Sequence, residues 1–182
     1  MTKHYIRRLI LAIVIIVGLY FTSHYNYLLF HSIAELFSIL IATTFFIITW
    51  NTRKYIQNEF LIFIGTAYLF IAFLDMLHTL SYKGMQIFTD YDYYANQLWI
   101  AARYIESLTL LIGFVLFKTS RRLNPRFIIY IYSMITALVI ASVFYWKIFP
   151  VCFVEGKGLT DFKKISEYII SGILLVNIIL LI

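Results

Sequence analysis

Apolar and polar positions alternate along this chain in long blocks, not with the short periods of a soluble fold. Six apolar blocks stand out, at about 6–22, 33–50, 60–80, 97–117, 127–146 and 165–182, separated by short stretches that collect the charge. Each block has the 17–25 residues a helix needs to cross hydrocarbon. Lipid offers no partners for bare backbone N–H and C=O groups, so each block must be helical. The pattern predicts an all-α polytopic membrane protein, a six-helix transmembrane bundle built as one membrane-embedded domain over residues 1–182. Both prolines, Pro125 and Pro150, fall between the blocks.

Composition sharpens this. The chain is 62% hydrophobic with a mean hydropathy of +0.86. Only 13% of its residues are charged, about half the usual share of a soluble domain. After six spans there is no room for a soluble catalytic domain. The formal charge of +6 is not a nucleic-acid footprint, because the basic residues flank apolar blocks and so act as topology signals. Lys3, Arg7, Arg8, Arg53, Lys54, Lys118, Arg121, Arg122 and Arg126 lie on one predicted side. Lys83, Lys147, Lys157, Lys163 and Lys164 lie on the other. The positive-inside bias places both termini in the cytoplasm. The basic start and apolar run of MTKHYIRRLILAIVIIVGLYF, with no small-x-small cleavage site, predict a retained signal anchor. The last block stops at LLVNIILLI with no basic flank, which predicts a longer parent protein with a cytoplasmic domain downstream. Cys152 is the only cysteine, so internal disulfides and cysteine-based zinc sites are excluded; it is expected to be an inert loop thiol.

The candidate chemistry lies in polar residues that interrupt the spans. FLDMLHTLSYKGM, residues 73–85, places Asp75, His78 and Tyr82 at i, i+3 and i+7. Arg103 and Glu106 follow Trp99 at i+4 and i+7, and His31 and Glu35 are four apart. Such spacings line one helix face. With Glu167 they all fall within roughly 15 Å of one membrane boundary at 1.5 Å of rise per residue. A charge at the bilayer centre costs about 2.5–3.5 kcal/mol even on the lenient insertion scale, so these groups should turn inward onto a polar chamber. Four acids (Glu35, Asp75, Glu106 and Glu167) face one fixed buried cation, Arg103, with Lys83 or Lys164 as candidates to reach in. That imbalance favours a site for a small ligand, an ion or protons over plain interhelical glue. His31 and Glu35 are also compatible with a solvated interfacial position.

Several activities lack their parts. There is no HExxH motif, no convincing serine–histidine dyad beyond a chance pairing of Ser107 with His78, and no c-type haem attachment motif, so no enzyme activity is expected. A divalent metal held by His78, Asp75, Glu106 and His31 stays open, as does b-type haem between the two histidines. A transporter or proton relay needs polar groups at mid-membrane, whereas the other half of each span is Leu, Ile and Phe. A plain anchor or dimerisation module remains a further alternative.

The stretches YLFIAFLDMLHTLSYKGMQIF, NQLWIAARYIESLTLLIG and KIFPVCFVEGKGLTDFKKISEYIISGILL resemble the MASE3 domain, a bacterial membrane-associated sensor module, over about residues 50–182. The resemblance implies an input module in the bacterial cytoplasmic membrane, joined to PAS, histidine kinase, GGDEF or EAL domains. It supplies no catalytic residues. The motif positions it marks are Asp75, His78, Tyr82, Lys83, Gly84, Arg103, Glu106 and Glu167. Homodimerisation is expected only by analogy with paired signalling outputs.

Overall fold

The computed structural model describes residues 2–119 and 124–181. The predicted cytoplasmic cluster at Lys118, Arg121 and Arg122, and the side chain of Lys3, lie outside the described side chains. Six long helices account for the architecture: α1 (Thr2–Tyr25), α2 (Tyr27–Thr52), α3 (Glu59–Leu80), α4 (Tyr94–Thr119), α5 (Pro125–Ile140) and α6 (Asp161–Leu181). All six, α5 taken together with the turn that continues it to Tyr145, are long and apolar enough to cross a membrane.

Three helices start on an asparagine that the sequence spells out. The side-chain oxygens of Asn26, Asn58 and Asn124 accept backbone N–H bonds from Leu29, Phe60 and Arg126, satisfying donors that an open helix start leaves bare. Pro125 sits at the first position of α5, where its missing N–H costs nothing. The first predicted loop, SHYNYLLFHS, is not a loop. Asn26 alone separates α1 from α2, so His31 and Glu35 lie inside a continuous helix.

α3 is the central element, packed against α2, α4 and α5, while α6 packs on α4 and α1 on α2. Its burial runs almost without a break from Ile62 to Ala67. Gly65 permits the closest approach. A Cβ there would lie 2.2 Å from Thr49 Oγ1, so the α2 and α3 backbones meet only because no side chain intervenes. Phe63, Ile64 and Ala67 of α3 pack on Ile128 and Tyr132 of α5. Nearer the other end, Leu74 packs on Tyr94, Leu98, Ala102 and Val143.

Two connections, residues 81–93 and 146–160, cap one end of the bundle. α5 leaves through a wide π turn, Ala141–Tyr145. A two-residue antiparallel pair follows, β1 (Phe153–Val154) with β2 (Gly158–Leu159). Its link needs Gly156 at φ 79° and Gly158 at φ 83°, in the left-handed region that glycine enters freely. Lys83 pairs with Asp92 at 3.0 Å, Lys147 pairs with Asp90 at 3.0 Å, and Gln97 donates to the carbonyls of Phe149 and Pro150. Tyr94 is buried against Phe144 and Phe88, whereas Trp146 is exposed.

Candidate functional site

The polar residues of α2, α3 and α4 meet in two layers stacked along α3. The deeper layer is an ion network. Arg103 Nη2 donates to both carboxylate oxygens of Asp75 at 2.5 Å, and Arg103 Nη1 donates to Glu106. Tyr68 adds its hydroxyl to Glu106 Oε1 at 3.2 Å. Arg103 is thus shared between two carboxylates on two helices, the Asp75 side chain being only 5% exposed. α4 begins at Tyr94, three residues before the predicted span. Glu106 therefore lies roughly 18 Å in from the capped end, near mid-helix, deeper than the spacing argument placed it.

The shallower layer is built from imidazoles and rings. His78 Nδ1 meets the Ala95 carbonyl at 2.8 Å, which places the proton on Nδ1 because a carbonyl only accepts. Its Nε2 faces Glu35 Oε1 at 3.9 Å. The His31 ring meets His78 edge to face, with centroids 5.4 Å apart, and packs under Tyr82 at 4.4 Å and Tyr27 at 6.3 Å. One ligand atom from each of His31, Glu35 and His78 lies within 4.8 Å of the others. Glu35 is within electrostatic reach of Asp75 and Arg103, so the two layers are coupled.

Seven residues expected in the chamber are therefore brought together: His31, Glu35, Asp75, His78, Tyr82, Arg103 and Glu106. Others are not. Lys83 is bound by Asp92 in the cap, and Lys164 pairs with Asp161 on the surface; both are more than half exposed. Glu167 is engaged by Lys163 at 3.3 Å, on the α4–α6 side. Lys163 is buried beneath Trp99, 4.6 Å from its ring centroid, so Arg103 is not the sole buried cation. The i,i+4 spacing of Lys163 and Glu167 was the available signal for their pairing.

Tyr68 is the site residue that sequence reasoning missed. It stands seven residues before Asp75 on the same face of α3, but its ring was indistinguishable from lipid-facing aromatics. Asp75 and Glu106, read as metal candidates, are occupied by Arg103; the open donor set is His31, Glu35 and His78. The edge contact between His31 and His78 leaves no room for a porphyrin between them in this arrangement. Ser107 Oγ donates to the Tyr104 carbonyl and forms no dyad with His78.

Past these layers the spans are dry. No Asp, Glu, Lys, Arg or His occurs at 36–52, 60–67 or 107–117. The buried hydroxyls there are satisfied locally, as where Thr66 donates to the Ile62 carbonyl and Thr109 meets the Tyr132 hydroxyl at 2.6 Å.

Six membrane-crossing helices, a polar site confined to one part of the bundle and an apolar seal beyond it define a membrane-embedded receptor-like module. The chain belongs to the MASE3 family, described as a membrane-associated sensor domain, whose model matches residues 22–182. The match extends through α2, beyond the resemblance read from sequence, and so takes in His31 and Glu35. It makes the chain a sensor domain, not a catalytic one. No curated protein and no solved structure matches it.

Proposed function

We propose that this chain is the sensory input domain of a bacterial signal-transduction protein. In this reading it binds a small extracytoplasmic or membrane-derived ligand, or an ion, at the two polar layers, and passes a helix shift to a cytoplasmic output domain of the PAS, histidine kinase or GGDEF type. The capped end faces outward and both termini face the cytoplasm of a cell whose inner membrane holds the bundle.

The observation that carries the reading is the shared guanidinium of Arg103. It bridges Asp75 of α3 to Glu106 of α4 with two acids for one cation, next to a third acid, Glu35. A network that does not neutralise itself responds to any added positive charge or proton by redistributing Arg103 between its partners. Only a ligand with different affinity for the two helix arrangements can drive such a switch. A conduit is less well supported, because ionisable residues stop near mid-helix and the remaining spans are apolar.

The test uses the chain joined to its output domain. Asp75→Ala and His78→Ala should each abolish or lock the response to stimulus while the protein still folds and inserts. An unchanged stimulus response in both would sink the proposal. Stimulus-independent ion flux in proteoliposomes, lost in Glu106→Gln, would favour a transporter instead.

A further inference from the structure

The shallow layer contains a set of lone pairs with nothing between them. His78 gives its Nδ1 proton to the Ala95 carbonyl, so the neutral ring presents Nε2 as a bare lone pair. That atom faces a carboxylate oxygen of Glu35 at 3.9 Å, too far for a hydrogen bond and close enough for two electron-rich atoms to repel. His31 Nε2 is shut off from solvent and has no hydrogen-bond partner. A buried polar nitrogen in that state calls for a specific explanation, an absent ion among them. One ligand atom from each of the three residues lies within 4.8 Å of the others, the only such His/Cys/Asp/Glu trio among the described residues.

We infer that His31, Glu35 and His78 bind a divalent transition-metal ion of the zinc class, at a site spanning α2 and α3. Two imidazoles and a carboxylate suit zinc, with bonds of about 2.0–2.2 Å that would hold the donors roughly 3.3 Å apart. The His78–Glu35 separation need close by only about half an ångström to meet that geometry. The supporting parts of a metal site are also in place. A ligating histidine is ordinarily fixed by a hydrogen bond from its other nitrogen, and Ala95 provides this for His78. Tyr82 and Tyr27 pin the His31 ring, so little side-chain freedom remains to be lost on binding. Three protein ligands leave a fourth position for water or an exogenous donor.

This assignment deepens the sensory reading by naming the class of ion at its site, and rests on that reading only for the consequence. A cation here would clamp α2 to α3 and place new positive charge beside Glu35, which already interacts with Asp75 and Arg103.

The experiment takes the untagged full chain in nanodiscs, stripped with a chelator, and titrates it with Co²⁺ as a spectroscopic stand-in for Zn²⁺. One Co²⁺ per chain should bind with visible ligand-field bands of a low-coordinate nitrogen/oxygen site, and Zn²⁺ should displace it. Glu35→Gln, which keeps side-chain shape, should weaken binding by about tenfold or more, and His31→Ala with His78→Ala should abolish the bands. Absence of uptake by the wild-type chain, or uptake unchanged in Glu35→Gln and in the double variant, overturns the assignment. A proton shared by His78 and Glu35, seen as acid-dependent behaviour with no metal uptake, overturns it equally. Stoichiometric binding with zinc-independent output would leave the metal site standing and count against the sensory reading; output that depends on Asp75 without metal uptake would do the reverse.

Discussion

Asn177 of α6 donates its side-chain amide to the backbone carbonyl of Ser107 at 3.0 Å, and Ser107 directly follows the network residue Glu106. This bond, together with Lys163 over Trp99, ties the last helix to the helix that carries the site. Interhelical bonds of this kind contribute about 0.6 kcal/mol on average in membranes, so Asn177→Leu should barely change thermal stability. It should nevertheless reduce the stimulus-dependent change in output of the full-length protein. Normal signalling gain in Asn177→Leu would mean that α6 is driven from elsewhere.

Arg103 offers a test of the network's accounting. Breaking a buried ion pair by removing one partner costs about 3–5 kcal/mol, because the remaining charge is stranded. Arg103→Leu strands Asp75 and Glu106 together and should be strongly destabilising in thermal melts in detergent. Adding Asp75→Asn and Glu106→Gln should recover most of the loss. A triple variant no better than Arg103→Leu would show that Arg103 acts by packing and not by charge.

Gly65 should tolerate nothing larger. Gly65→Ala drives a methyl into Thr49, and overpacking typically costs about 1–3 kcal/mol. Thr49→Gly in the same chain should relieve the clash, whereas Thr49→Ala should not, since the Thr49 Cβ itself lies 2.6 Å from the new atom. Melting temperatures of the three variants, against the parent chain, decide the matter.

Cys152 is fully buried, with its thiol directed at the Pro150 carbonyl, and burial pushes its pKa up to about 11. The thiolate is the reactive form, so folded protein at neutral pH should resist maleimide labelling while detergent-unfolded protein reacts at once. A thiol whose folded pKa is raised gives stability that is complete below its ordinary pKa and fades as pH climbs toward 11. Cys152→Ser should therefore flatten the alkaline limb of the stability profile.

Asp90 is held below the usual carboxylate range, first by the Tyr94 hydroxyl and then by Lys147, whose own pKa is raised in return. The sign is fixed for both. Asp90 contributes above its ordinary pKa and is lost as pH falls through the lowered one. Lys147 contributes below its ordinary pKa and is lost as pH rises through the raised one. Spin labels on residues 87 and 148, both exposed, should report an unchanged distance across neutral pH, with separation only in strong acid or strong alkali. Asp90→Asn should loosen the cap at every pH.

Much of this was legible because lipid leaves the backbone so few choices. Span number, helix identity and the inward turn of Asp75, His78, Arg103 and Glu106 all follow from the cost of bare polar groups in hydrocarbon. What was not legible depended on helix rotation. The sequence gives no angle for α6 about its axis, so Glu167 was placed facing the network when Lys163 in fact holds it. Tyr68 was hidden because an aromatic ring is equally at home against lipid and against a carboxylate. The stretch 23–32 was read as lying between spans because it is polar, when only Asn26 interrupts the helices there.

The cap described above has a mechanical corollary. One extremity of the bundle is fastened by Lys83–Asp92, Asp90–Lys147 and the Gln97 contacts. A helix of 21 residues such as α6 is roughly 31 Å long, so tilting it by about 4° about one tip sweeps the other through about 2 Å. Displacements of that order switch subunit interfaces elsewhere in biology. In the proposed sensor, a small rotation near Arg103 would thus become travel at the distant tip.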